Sequence, residues 1–135
     1  MQFDNSLPIY QQVVTTIKKE IAAGRIKPGD KLPSCRDLAV QYRINPNTAA
    51  RVYQVLETEK VTETRRGTGT YVRSDPCLLT DMRKEMADGY TQMYIRDMAD
   101  LGYHRDEILH CLESWSSPED WIVPEEKQTN LSEKE

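Results

Sequence analysis

Cysteine is scarce and odd in number: Cys35, Cys77 and Cys111 are spread over 135 residues. Such spacing suits reduced thiols and supplies neither a disulfide framework nor a metal cluster. His104, His110 and Cys111 are the nearest approach to a ligand trio, yet residues 110 and 111 would point about 100° apart on a helix. No apolar run comes near the ~20 residues of a membrane span. None follows Met1 either, so we expect no secretory signal, no membrane partner and a cytoplasmic protein. The parts of common enzymes are missing as well. There is no Walker-type phosphate loop, no nucleophile elbow and no evident pair of carboxylates. Gly67-Thr68-Gly69 is no dinucleotide fingerprint, because that motif needs a strand-to-helix turn. A non-enzyme without cofactors is therefore expected.

What the chain does have is charge, unevenly placed. Its 18 Lys and Arg face 22 Asp and Glu, a net charge of -4. Residues 1–75 carry 12 basic and 8 acidic side chains, a balance of +4, whereas residues 76–135 carry 6 and 14, a balance of -8. A basic half beside an acidic one points to one basic interaction surface next to an acidic remainder.

Hydrophobic spacing sets out the elements. Ile9, Val13, Ile17 and Ile21, with Tyr10 and Val14 beside them, predict a first helix over about residues 8–23. Pro8 suits its first position and Gly24 its C-terminal stop. Lys27-Pro28-Gly29-Asp30 reads as a turn, and Lys31-Leu32 as a stub of strand. Ser34 caps a second helix, with Asp37 adding negative charge to its first turn and Leu38, Ala39 and Tyr42 forming its apolar face. Asn45-Pro46 then opens a third helix, which runs to about Lys60, Asn45 serving as a cap rather than a base reader. The period changes at Val61: Val61-Thr62-Glu63-Thr64 and Thr70-Tyr71-Val72-Arg73 flank Arg65-Arg66-Gly67-Thr68-Gly69, a β-hairpin with a basic, glycine-containing tip. A long helix of about 23 residues follows, stopped by Gly102, with Gly89 marking a bend or a close crossing. A shorter helix ends near Trp115. The expected architecture is mainly α with a small β-hairpin. Residues 1–75 form a winged helix-turn-helix DNA-binding domain, residues 76–116 a two-helix dimerisation region and residues 117–135 an acidic, flexible tail.

The third helix carries the functional argument. At about 100° per residue, Leu56, Ala49, Val52 and Tyr53 fall on one arc, and Asn47, Thr48, Arg51, Gln54, Val55 and Thr58 on the opposite one. That second arc holds no acid, since Glu57 and Glu59 sit on the flanks. An ordinary solvated face mixes both signs, whereas a short-polar, basic face suits a phosphate-lined major groove.

At these residues the sequence resembles the GntR family of bacterial transcription regulators, and within it the short YtrA-like subfamily. The resemblance is carried by Pro8-Ile9-Tyr10-Gln11-Gln12, Gly24-Arg25-Ile26-Lys27-Pro28-Gly29-Asp30-Lys31-Leu32-Pro33-Ser34, Arg36-Asp37-Leu38-Ala39, Asn45-Pro46-Asn47-Thr48 and Arg66-Gly67-Thr68-Gly69-Thr70-Tyr71-Val72. It implies that Arg36 contacts backbone or guanine from the second helix, that Asn47, Thr48 and Arg51 read from the third, and that Arg66 and Gly67 form a wing tip in the minor groove. With Ser34, Gln54, Arg65, Thr68 and Gly69 these make the candidate DNA-contacting set. Two departures stand out. Pro46, which the YtrA-like pattern shares, and Ala50 replace arginines common in the wider family, and Lys60 replaces a typical glycine after the third helix. The resemblance further implies a repressor of transporter operons.

Residues 78–115 are too few to enclose a drug-sized pocket and also cover their own apolar faces. Leu79, Met82, Met86, Tyr90, Met93, Ile108, Leu112 and Trp115 are therefore expected to pair with a second copy, giving a homodimer on an inverted-repeat operator. A methionine stripe at helical spacing reads as core rather than as a ligand site. Two rival readings remain at this stage. One is a winged-helix protein-interaction module that works through the acidic C-terminal half. The other adds a small-molecule effector at the dimer interface.

Overall fold

The computed structural model describes residues 1–115; the expected acidic tail over 117–135 lies outside the described residues. In order, the elements are α1 (Ile9–Ala22), α2 (Cys35–Tyr42), α3 (Pro46–Thr58), β1 (Thr62–Arg65), β2 (Gly69–Val72), α4 (Leu78–Asp100) and α5 (Arg105–Ser114). They divide into two compact units, Met1–Glu85 and a second beginning at Met86, so the division falls inside α4.

The first unit is the expected winged helix-turn-helix. Val13, Val14, Ile17 and Ile21 of α1, Leu38 and Ala39 of α2, and Ala49, Val52, Tyr53 and Leu56 of α3 are buried, with Leu32, Val61 and Val72 closing the core. α3 packs on both α1 and α2 and also touches β1. Ile9 departs from the predicted stripe: it lies in the first turn of α1 and is exposed. Pro8 sits one place before the helix, at its N-cap. The other starts follow the sequence reading. Ser34 Oγ accepts the Asp37 N–H at 3.1 Å, and Asn45 Oδ1 accepts the Asn47 N–H at 2.8 Å ahead of Pro46.

The C-terminal ends of α1, α2, α3 and α4 share one backbone solution. At Gly24, Arg43, Lys60 and Gly102, φ is +83°, +55°, +63° and +89°. Each of these residues donates its N–H to the carbonyl three places back, and the next residue donates to the carbonyl five places back. After α3, for instance, Lys60 N–H meets Glu57 O at 3.0 Å and Val61 N–H meets Leu56 O at 2.9 Å. This is the Schellman stop, which glycine usually fills because an L side chain is strained at positive φ. Lys60 thus adopts a geometry that glycine usually fills.

β1 and β2 pair antiparallel in the register Thr62↔Val72, Glu63↔Tyr71, Thr64↔Thr70 and Arg65↔Gly69. The Lys31-Leu32 stub joins them through an antiparallel bridge to Tyr71, and Leu32 N–H donates to Thr70 O at 2.8 Å.

In the second unit, the C-terminal part of α4 ends at Gly102 and leads into α5, where Glu107 Oε1 accepts the His104 N–H at 3.1 Å. The helix α4 runs unbroken for 23 residues. At Gly89 an added Cβ would meet nothing within 4 Å, so no close crossing within the described residues accounts for that glycine.

Two substitutions test the account of the helix stops. Lys60→Gly is expected to raise unfolding free energy by about 0.5–1 kcal/mol, since relief of left-handed strain exceeds the entropy glycine adds to the unfolded chain. Gly24→Ala is expected to lower it by about 1 kcal/mol, although space for the methyl is open. Urea denaturation of both variants checks the opposite signs.

Candidate nucleic-acid interface

The rotation of α3 about its axis decides what the unit presents. Ala49, Val52 and Leu56 are each 0% exposed, and Tyr53 is buried beside them. The opposite arc is open: Asn47, Arg51, Gln54 and Thr58 are exposed, with Thr48 and Val55 half-buried at its margins. No acid interrupts this arc. Glu59, on the flank, is taken up by Lys18 of α1, with Nζ and Oε1 2.7 Å apart.

Tyr53 fixes α3 against the start of α2. Its hydroxyl donates to the Pro33 carbonyl, immediately before Ser34 and Arg36. Burial, followed by the neighbouring Cys35, Tyr42 and Asp37, pushes this hydroxyl well above the ordinary tyrosine range and keeps it a neutral donor. The same loop anchors the wing, because Gly29 N–H donates to Val72 O and Val72 N–H to Asp30 O, both at 2.9 Å. The loop before α2 therefore ties together the head of α2, the body of α3 and β2.

Local hydrogen bonding sorts the residues named from sequence. Among the described residues, the side chains of Arg36, Asn47, Gln54 and Arg66 have no hydrogen bond or ion pair and are exposed. Gly67, at φ +79°, forms the turn of the hairpin and is exposed. Other candidates are engaged within the chain. The Ser34 hydroxyl caps α2, and Thr68 Oγ1 donates to Arg65 O at 3.1 Å, closing the hairpin turn. Thr58 Oγ1 donates to Gln54 O at 2.9 Å. Gly69 lies against the Lys31 stem, whose Cε would stand 3.0 Å from an added Cβ.

Arg65 differs from Arg66. Its Nη2 is 3.0 Å from Glu63 Oε1, and its guanidinium lies over the Tyr71 ring, 4.1 Å from the centroid. Strand geometry explains the cluster: residues 63 and 65 share one face, and Tyr71 pairs with Glu63 diagonally from Arg65. Arg51 is likewise stacked, 3.9 Å over the ring of Tyr10 from α1. Tyr10 was not among the sequence-derived site residues. In the sequence it stood in the α1 apolar stripe and in the Pro8–Gln12 motif of the family resemblance, neither of which assigned it a contact.

The surface expected to pair with a second copy is altered in two places. Met82 and Ile108 are only 6% and 7% exposed, so each is already buried within its own chain and offers little to a partner. Leu79 and Met86 are half-buried, while Tyr90, Met93, Leu112 and Trp115 remain exposed. The second unit also holds an apolar groove of about 570 Å³, lined by Tyr94, Ile95, Ala99, Ile108, Leu109 and Leu112 among others. Among the described residues no group of His, Cys, Asp or Glu could hold a metal ion, and no helix is long and apolar enough to cross a membrane.

Three helices with an outward polar third helix, followed by a hairpin wing, define the DNA-binding winged helix-turn-helix class. Comparison with known proteins agrees. The profile of the bacterial regulatory proteins, gntR family, matches residues 9–72. The uncharacterized HTH-type transcriptional regulator YhcF of Bacillus subtilis (strain 168) is 32% identical over 115 residues, covering 85% of this chain and 95% of YhcF. The HTH-type transcriptional repressor YtrA of the same organism is 48% identical over 68 residues, covering 50% of this chain and 52% of YtrA. A solved GntR family transcriptional regulator from Listeria monocytogenes superposes with a TM-score of 0.79 at 37% identity, covering 83% of this chain and 98% of that one. The chain belongs to the GntR family of transcriptional regulators and is YtrA-like, and the relatives it matches are regulators rather than enzymes.

The Glu63–Arg65 pair gives a test at the wing. Glu63→Gln frees Arg65 and removes an acid from the hairpin, so affinity for random-sequence duplex DNA is expected to rise by about two- to fivefold at low salt, the scale of an exposed ion pair. Fluorescence anisotropy reads the change; an unaltered affinity would mean that DNA does not reach Arg65.

Proposed function

We propose that the protein is a homodimeric, sequence-specific repressor that binds an inverted-repeat operator. Each protomer places α3 in a major groove and the Arg66–Gly67 tip of its wing in the adjacent minor groove. The observation that carries this reading is the open, acid-free arc from Asn47 to Thr58, which the core of the first unit turns outward. Arg36, Asn47, Arg51 and Gln54 are the base- and phosphate-reading side chains, and residues 1–75 act as the DNA-binding domain. The repressor sign and a transporter operon as target rest on the YtrA-like resemblance. A cytoplasmic location follows from that role.

Pairing of copies is assigned to the region over 76–116. Tyr90, Met93, Ile95, Leu101, Leu112 and Trp115 are all at least 43% exposed, more apolar surface than a short helical pair normally leaves wet. A self-complementary contact between two such surfaces covers it and produces the two-fold axis that an inverted repeat requires. The groove of about 570 Å³ beside α5 is of a size for a small apolar effector, the alternative use of the same unit.

Selection from a randomised duplex library by the full chain is expected to return an inverted repeat. Arg51→Ala and Arg36→Ala should each weaken binding to the selected duplex by roughly 1–3 kcal/mol if the lost contact is bidentate to a base. With about 6–8 phosphates engaged per dimer, log K should fall against log salt with a slope near -5 to -7. Absence of DNA affinity at every salt concentration would sink the assignment and favour a protein-docking module. Light scattering at micromolar concentration is expected to give twice the chain mass of 15.6 kDa; the single mass would remove the dimer.

A further inference from the structure

Arg51 occupies the middle of the exposed arc of α3, yet it is not a loose surface side chain. Its Cζ lies 3.9 Å from the centroid of the Tyr10 ring, which α1 brings up beside α3. Gln11 Nε2 donates to the Tyr10 hydroxyl at 3.2 Å. Tyr10, Gln11, Lys18, Val55 and Glu59 line one groove between the two helices, and its acid is held by Lys18 at 2.7 Å. The Arg51 side chain has no hydrogen bond or ion pair among the described residues. What holds its guanidinium among the described residues is therefore the ring contact on its face. A ring on that face leaves the N–H donors at the edge unoccupied, and these are the groups that bind guanine O6 and N7 as a fork. Stacking and base reading use different parts of the same side chain.

We propose that Tyr10 is a positioning residue for sequence readout, holding the Arg51 guanidinium in its reading conformation before DNA arrives. This rests on the function proposed above. The chemistry predicts an effect on discrimination more than on general affinity. An arginine held in place presents a directed donor fork that accepts few base edges, whereas a freely rotating one finds a phosphate on any duplex. Tyr10 itself needs no contact with a base.

The test uses the full chain, the duplex it enriches from a randomised library, and a scrambled duplex of equal length. Tyr10→Phe keeps the ring and is expected to bind the enriched duplex within about twofold of the unaltered chain. Tyr10→Leu keeps an apolar side chain but no ring. It is expected to lose about three- to tenfold on the enriched duplex while holding its affinity for the scrambled one. In an Arg51→Ala background the same Leu substitution should cost nothing more, because the coupled partner is already gone. Additive losses, equal losses on both duplexes, or no loss in Tyr10→Leu would each overturn the proposal while leaving DNA binding intact. Failure of the unaltered chain to enrich any duplex would instead overturn the functional reading. Should Tyr10→Leu unfold, NMR of the unaltered, DNA-free protein decides: ring-current-shifted Arg51 side-chain resonances, preserved in Tyr10→Phe, are expected, and unshifted ones overturn the stack.

Discussion

The interface depends on the angular phase of one helix. With 3.6 residues per turn, a one-residue slip in α3 would rotate its faces by about 100°. Leu56 and Val52 would then leave the core, at a cost of about 1.5–3 kcal/mol each, and polar side chains would enter it. Burial of Ala49, Val52, Tyr53 and Leu56 thus selects the outward set without any contact from that set. The chemistry of the outward face is a by-product of the hydrophobic registration behind it.

A second constraint keeps α3 and the wing in step. The loop from Gly29 to Pro33 bonds to β2 through Gly29, Asp30 and Leu32, and receives the Tyr53 hydroxyl at Pro33. Wing and third helix are therefore fastened to the same short stretch of backbone. Movement of one relative to the other would break several buried or half-buried hydrogen bonds together, so the spacing between them is part of the fold.

Much of this was legible in the sequence because local rules and tertiary needs agree. Ser34, Asn45 and Pro46 start helices where the chain needs them started, and the change of period at Val61 marks the hairpin. The face of α3 could be read because its apolar residues keep helical spacing. The parts that escaped are those where sequence-distant groups meet or where no residue type signals the conformation. Tyr10 and Arg51 lie on different helices, and neither the apolar stripe of α1 nor the Pro8–Gln12 motif signals that they meet. Nothing in Arg43 or Lys60 announces a positive φ. Met82 and Ile108 share the spacing of the exposed stripe, so periodicity could not separate core from surface there. The Glu63–Arg65–Tyr71 cluster was in principle readable from strand alternation, but only once the register of the hairpin was known.

The repeated helix stops have a bearing on how freely the outward face can vary. Because Arg43 and Lys60 adopt the same turn as Gly24 and Gly102, the exit from each of these four helices is imposed by the surrounding backbone bonds more than by the residue that occupies it. Nor do the outward positions 47, 51 and 54 take any part in those bonds through their side chains. Mutation can therefore change the outward surface of α3 one position at a time while the backbone bonds that set the entry and exit of the helix stay as they are, so that what this face presents can vary in single steps at little cost to the fold.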